Sequence, residues 1–485
     1  MTPASLSPDR ADNTAPIAME CDAPHPRVVG ALPRELNGTL FRNGPNPQFQ
    51  HPGAHWFFGD GMLHAFMLED GRARYRNRWV RTAHWQAENA AGRRLFDGFG
   101  RDASGSRSGL AADEGAANTN VIWHAGRLLA LEEAHLPIEI DPATLATRGV
   151  QSFGGGLQGP FTAHPKTDPA TGELVFFGYN ATGPLSAGLS CGTLDAAGRV
   201  TRFERFEAPY ASMVHDFMVT ARHVLLPILP LTGSLPRAMR GAPPYAWEPA
   251  LGARIGVMPR GGSAADLRWF EGEACYVFHV MNAWEEGDLL HADVMRYDEP
   301  PLFPHPDGRP TDPARSTARL CRWTFDLASS GSRFRQQDLD DLPGEFPRFD
   351  ERYAGLAYRH GWFACERPGE PGTGQGGLAH WDAARGRRAS TYLLPLGDKV
   401  SEPVFVPRSA DAPEGDGWLL ATVYRGAEHR SDLAVFDAQA IGDGPLATVQ
   451  LSHRVPAGFH GNWVASEASR PATAQATMTG ITPAL

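Results

Sequence analysis

The sequence predicts an all-β fold, and three observations carry the prediction. Short apolar runs of four to eight residues, rich in Val, Phe, Tyr and Leu, recur from end to end: GRLLALEE, GELVFFGYN, RHVLLPILPL, ACYVFHVMNA, HGWFACERP, STYLLPL, EPVFVPR, GWLLATVYRG, SDLAVFDAQ and ATVQLSHRV. Gly, Asp, Asn and Pro bound these runs, and Gly 53 with Pro 41 make up about a fifth of the residues. Helical periodicity, by contrast, is scarce. Strands so short and numerous require a closed or radially repeated sheet, because an open one would expose long edges. A sandwich, a pair of barrels and a propeller all meet that requirement. Propeller blades take about 40–50 residues each, so seven would use roughly 280–350 and leave length for large loops. No sharp internal repeat selects among the three.

The totals exclude several functions. With 485 residues and 42% hydrophobic content, the protein has enough apolar material to bury a large core. A formal net charge of −10 argues against nucleic acid, which rewards a basic face. Five cysteines (Cys21, Cys191, Cys275, Cys321 and Cys365) are odd in number, far apart and without a C-x-x-C pair. Zinc ribbons and thioredoxin-like chemistry are therefore not expected, and a reducing, cytoplasmic setting is. The N-terminal stretch lacks the basic start and apolar core of a signal peptide. No run approaches the roughly 18 apolar residues of a membrane span.

In sequence order, residues 1–20 and 466–485 are small, polar and Pro/Thr-rich, and are expected as extended or flexible ends of a single domain over 21–465. The stretch LLPILPLTGSLPRAMRGAPPYAW (225–247) is expected to cap the core in preference to lining a membrane-facing entrance. Two motifs are set aside. GLSCG (188–192) matches a nucleophile elbow, but a strand and turn follow it where a helix is needed. GTGQGG (372–377) matches a dinucleotide fingerprint but follows ERPGEP and opens no helix.

Among 18 histidines, four stand in or beside apolar or Gly-bearing segments where a neutral imidazole can face a buried centre. They are His164 in GPFTAHPKTDP, His215 in SMVHDFMVT, His279 in YVFHVMNAWEEGD and His460 in AGFHGNW. The same settings suit hydrogen-bonded core histidines, so the residues alone leave both readings open.

Seven segments together resemble the carotenoid cleavage oxygenase family: GTLFRNGPNPQF (38–49), HWFFGDGMLHAF (55–66), ANTNVIWHAGRLLAL (117–131), MVHDF (213–217), FHVMNAWEEGD (278–288), SEPVFVPR (401–408) and GFHGNW (458–463). The likeness runs from about residue 27 to 465. It implies a seven-bladed β-propeller capped by loops and short helices over an axial non-haem Fe(2+). By the same resemblance His164, His215, His279 and His460 are the iron ligands. Glu133 in LEEAHLP, Glu345 in GEFPRFD and Glu402 in SEPVF would receive the outer N–H of His215, His279 and His460, leaving His164 without a carboxylate. Thr119 in ANTNV would limit access to the open coordination site.

The implied reaction is cleavage of an alkene C=C bond by O2 to two carbonyl products, with no nicotinamide or flavin. APYASMVHDFMVT, LLPILPLTGSL, GVMPRGG and FHVMNAWEEGD most resemble the bacterial lignostilbene-cleaving branch, whose members stack a phenylalanine on the substrate ring and hold its 4-hydroxyl with a tyrosine and a lysine. Phe57 matches the stacking position or lies one residue from it. Phe99 replaces the tyrosine and Glu132 the lysine, which predicts only modest activity on 4-hydroxystilbenes and keeps phenylpropenes and apocarotenoids in view. A non-catalytic propeller serving as a binding module is the reading from another class. Membrane contact is not favoured, and a homodimer is compatible with the resemblance.

Overall fold

The computed structural model describes residues 13–49, 56–96, 115–369 and 374–466. Among the described residues seven antiparallel sheets form blades around one axis, the all-β propeller expected, and an eighth, two-stranded sheet lies beside them. Blade 1 runs outward from Gly461–Ala465 through Gly38–Pro45, Gly61–Glu69 and Arg72–Trp79 to Cys21–Ala23. Blade 2 holds Asn120–His124 to Thr147–Val150, blade 3 Lys166–Thr167 to Val200–Glu207, and blade 4 Met218–Val219, His223–Ile228, Ala253–Pro259 and Arg268–Gly272. Blade 5 holds Tyr276–Glu286 to Arg335–Asp338 and blade 6 Gly344–Phe349 to Arg387–Leu393. In blade 7, Lys399–Val400 and Val404–Pro407 both pair with Gly417–Arg425, and Arg27–Gly30 adds the outer edge beyond Ala447–Gln450.

Segments from both ends of the sequence close the ring. The strand Gly461–Ala465 is the hub strand of blade 1, with Arg42 opposite Gly461, while Arg27–Gly30 from the N-terminal side completes blade 7. Residues 13–20 continue along blade 1, where Ile17 exchanges backbone bonds with the Asn46 side chain at 2.7 and 2.9 Å.

Burial grades from hub to rim for a geometric reason: a middle strand packs against neighbouring blades on both faces, and a rim strand on one. Gly188–Leu194 is buried at every position, whereas Val200–Glu207 at the rim of the same blade has none fully buried. Ser190 thus lies mid-strand and opposite Arg205, so GLSCG forms no nucleophile elbow. Bulky residues such as Trp247, Trp323, Trp362, Trp381 and Trp418 fill the core. Each such residue contributes about 1.5–3 kcal/mol or more by burial.

The stretch 225–247 spans the strand His223–Ile228, the short strands Leu231–Gly233 and Tyr245–Trp247, and the helix Leu235–Met239. Arg237 ties it together through Glu248 at 3.1 Å and the carbonyl of Pro243 at 2.6 Å. Among the described residues no helix is long and apolar enough to cross a membrane.

Candidate metal centre

Each blade contributes one residue to the hub, six from on or beside an innermost strand and Glu133 from the turn after Arg127–Leu131, the second strand of its blade. Blades 1, 3, 4 and 5 supply His460, His164, His215 and His279, and blades 2, 6 and 7 supply Glu133, Glu345 and Glu402. His164, His215 and His460 each stand one to three residues before an innermost strand. His279 lies within its strand, where the register shifts between Val277 and Val280. Such a bulge re-aims a side chain that regular alternation would direct into the blade interface.

The four ligand atoms lie within 4.8 Å of one another, and all four histidines are buried. Nε2 of His164 is 3.0 Å from that of His215, His215 is 3.2 Å from His279, and His279 is 3.1 Å from His460. Adjacent corners around an ion bonded at about 2.1 Å stand roughly 3.0 Å apart.

Hydrogen bonds at Nδ1 set the tautomers of three of the rings. Nδ1 of His215 donates to Glu133 at 2.7 Å, Nδ1 of His279 to Glu345 at 2.5 Å, and Nδ1 of His460 to Glu402 at 2.9 Å. Each neutral ring then presents a lone pair at Nε2. Three lone pairs face inward at about hydrogen-bond distance, which repels unless a cation sits among them. The donor set fits a first-row transition metal. Among the described residues no carboxylate meets His164.

Electrostatics favour neutral imidazoles at two positions. Burial, helped by the other three histidines, holds His164 well below its ordinary range. Burial also holds His460 down to about 4, against the pull of Glu402. At His215 burial acts the same way but Glu133 outweighs it and raises the ring.

Two ion-pair networks missed in the sequence hold the quartet. Asp216 pairs with Lys166 at 2.7 Å and accepts the backbone N–H of Val280 at 2.9 Å, so one carboxylate joins the segments bearing His164, His215 and His279. Arg348 meets Glu402 at 3.2 Å and donates to the carbonyl of Gly461 at 2.8 Å. Arg42 donates to the carbonyls of Glu402 at 3.2 Å and Phe459 at 3.0 Å. Burial would raise the Glu402 carboxyl, yet Arg348, His460 and Arg42 hold it far below the carboxylate range. The signal was present as charged residues set in apolar or Gly-bearing runs. Near them Gly44 and Gly458 pass so closely that a Cβ on Gly44 would lie 2.5 Å from Gly458 Cα.

The remaining expected residues surround the cluster unevenly. Thr119 accepts the His460 backbone N–H at 3.2 Å through its carbonyl, while its hydroxyl donates to Asn118 at 3.0 Å. Phe57 stands with Phe278, Phe303 and Phe459 at centroid distances of 6.5, 6.3 and 5.6 Å. Phe278 in turn meets His215 edge-on at 5.3 Å, so this aromatic wall reaches the histidines. Glu132 is bonded to His135 and accepts the Ala116 N–H at 3.1 Å. It is therefore already engaged by its own neighbours. Phe99 lies outside the described residues. A second group, Asp60, His84 and Glu88, also gathers ligand atoms within 4.8 Å. Glu88 there accepts the backbone N–H groups of Leu95 at 2.8 Å and Phe96 at 3.0 Å, which is the work of a loop anchor.

A seven-bladed ring with a buried histidine quartet at its hub is the architecture of a metal-dependent enzyme. The sequence profile of the retinal pigment epithelial membrane protein family matches residues 14–465. The protein belongs to that family, the carotenoid cleavage oxygenases resembled in its motifs, and it is an oxygenase. It is 40% identical over 460 residues to an isoeugenol monooxygenase of Pseudomonas nitroreducens, covering 93% of this sequence and 96% of that enzyme. It is 37% identical over 466 residues to lignostilbene-alpha,beta-dioxygenase isozyme III of Sphingomonas paucimobilis, covering 92% and 95%. The crystal structure of Pseudomonas brassicacearum lignostilbene dioxygenase superposes with a TM-score of 0.89 at 34% identity, covering 96% of this protein and 100% of that one.

Proposed function

We propose that this protein is an iron(II)-dependent dioxygenase that cleaves the aryl-conjugated alkene bond of a phenylpropene or a stilbene, giving two carbonyl products. The observation that carries the reading is the convergence of His164, His215, His279 and His460 beside the aromatic wall of Phe57, Phe278, Phe303 and Phe459. Iron held there would supply activation of O2 next to the alkene. The names of the relatives, isoeugenol monooxygenase and lignostilbene dioxygenase, support an aryl alkene as substrate.

The protein's own residues do the rest. Glu133, Glu345 and Glu402 keep three Nδ1 protons in place and so keep three Nε2 lone pairs inward. Phe57 and its partners give an aryl ring a face to stack on and exclude water from the reacting bond. The Thr119 carbonyl fixes the backbone of His460. The five unpaired thiols support a reducing, cytoplasmic location.

The test is product identification. Iron-loaded enzyme is incubated with stilbenes, phenylpropenes and apocarotenals under labelled O2, and the aldehydes are analysed by mass spectrometry. Two carbonyl products, each carrying one oxygen from O2, are expected: two aryl aldehydes from a stilbene, and one aryl and one alkyl aldehyde from a phenylpropene, with none from His279→Ala. Cleavage of apocarotenals alone would overturn the substrate assignment.

A further inference from the structure

We propose that Arg348, with Arg42 behind it, is a positioning residue for the metal centre, acting through Glu402 to fix the ring of His460. The inference rests on the four-histidine reading and concerns an asymmetry within it. Glu133, Glu345 and Glu402 each receive an imidazole N–H, but their other partners differ. Tyr297 donates its hydroxyl to Glu345 at 3.0 Å, and Phe346 its backbone N–H at 2.6 Å. Among the described residues neither Glu133 nor Glu345 meets a guanidinium or ammonium at ion-pairing distance. Glu402 alone of the three meets two: Arg348 at 3.2 Å and Arg42 at 3.9 Å.

Both guanidiniums also hold the backbone on either side of His460. Arg42 donates to the carbonyl of Phe459, and Arg348 to the carbonyl of Gly461 at 2.8 Å and to Asn462 Oδ1 at 2.8 Å. The Gly461 N–H in turn donates to Glu402 at 2.9 Å. His460 is thereby gripped at its ring and at both neighbouring peptide groups, all through charges buried to a few per cent exposure for Arg42 and Glu402. Two guanidiniums beside one carboxylate keep Glu402 ionised and fixed in orientation, so the Nδ1 proton of His460 always meets its acceptor at one position. Lysine is a poor substitute at Arg348, because one ammonium cannot reach Glu402, Gly461 and Asn462 in the same plane.

Arg348 also borders a cavity of about 140 Å³, lined with Asp350, Phe405 and Trp463. That volume leaves room for several waters, and once the arginine is shortened it leaves a path for free guanidinium. The experiment therefore uses Co2+ as the probe, read by chelator competition and by its d–d absorption, without turnover. Wild-type protein is expected to bind one ion per molecule, lost in His460→Ala; absence of that binding would sink the four-histidine reading itself. Given wild-type binding, Arg348→Met is expected to bind Co2+ roughly tenfold more weakly with an altered d–d spectrum. Guanidinium at low millimolar concentration should restore both, and equal sodium chloride should restore neither. Arg348→Lys is expected to bind more weakly than wild type as well, which keeps the test decisive where Arg348→Met fails to fold. A folded Arg348→Met or Arg348→Lys with wild-type affinity and spectrum would overturn the proposal.

Discussion

Glu345 accepts the Nδ1 proton of His279 at 2.5 Å, and both residues lie on innermost strands of adjacent blades where the register shifts. A register shift re-aims the side chains beside it, and each residue of the pair stands next to one. Phe346, at φ of 55° beside one of these shifts, stacks on the His279 ring at 5.2 Å.

Substituting Glu345→Gln keeps the size of the side chain and removes its charge. Metal affinity is expected to fall about 10–100-fold, with a parallel loss of activity at limiting iron and partial recovery at excess iron. Isothermal titration with Fe2+ under anaerobic conditions measures it. Wild-type affinity would show that the carboxylate does not govern the ring.

Phe57→Ala opens the aromatic wall formed with Phe278, Phe303 and Phe459. Losing one stacking face is expected to weaken aryl-alkene binding by about 1–3 kcal/mol, read as a rise in KM of about ten- to a hundredfold with iron content unchanged. Steady-state kinetics on a phenylpropene and a stilbene decide it. A fall in iron content instead would mean that Phe57 supports the histidines.

Stability should fall on mild acidification. Burial holds the His64 ring down to about 3, with His453 adding to it, and the His380 ring down to about 4, with His360 adding to it. An unfolded histidine titrates near about 6.5, so at lower pH the unfolded state takes up protons that these folded rings refuse. Their contribution is complete above about 6.5 and is lost progressively down to the folded values. Thermal melts should give a Tm that is level from about pH 7 to 8 and drops steadily from about pH 6.5 to 4. A Tm that rises over that interval would contradict the buried neutral assignment.

Removing His135 tests whether the Glu132 pair bears on substrate hydroxyl recognition. Glu132 is half-buried and bonded to this ring, so His135→Ala takes away its nearest partner and leaves the Ala116 N–H. A loss of about 1–2 kcal/mol in stability is expected from the weakened satisfaction of the carboxylate, together with a larger KM for hydroxylated than for methoxylated alkenes. Equal effects on both substrate types would remove His135 from hydroxyl recognition.

Much of the fold was legible and the blade count was not. Apolar runs such as GWLLATVYRG and SDLAVFDAQ are middle strands, buried on both faces, and their composition marks them plainly. The hub strands differ too much to form a repeat: blade 5 begins with eleven residues, Tyr276–Glu286, and blade 3 with two, Lys166–Thr167. The four histidines stood out locally, yet His64, His360 and His380 are equally buried and bond to Tyr75 or to each other. Burial alone does not separate a ligand from a core residue; the family resemblance made the selection. Arg42, Asp216 and Arg348 escaped notice because a buried ion pair has partners more than 40 residues away, which no local pattern reports.

The most direct measurement is anomalous diffraction at the iron edge from crystals of the iron-loaded enzyme. One peak on the propeller axis, bonded to Nε2 of His164, His215, His279 and His460 at about 2.1 Å, is the predicted result. A peak elsewhere, or one ligated by fewer than all four rings, would contradict the account.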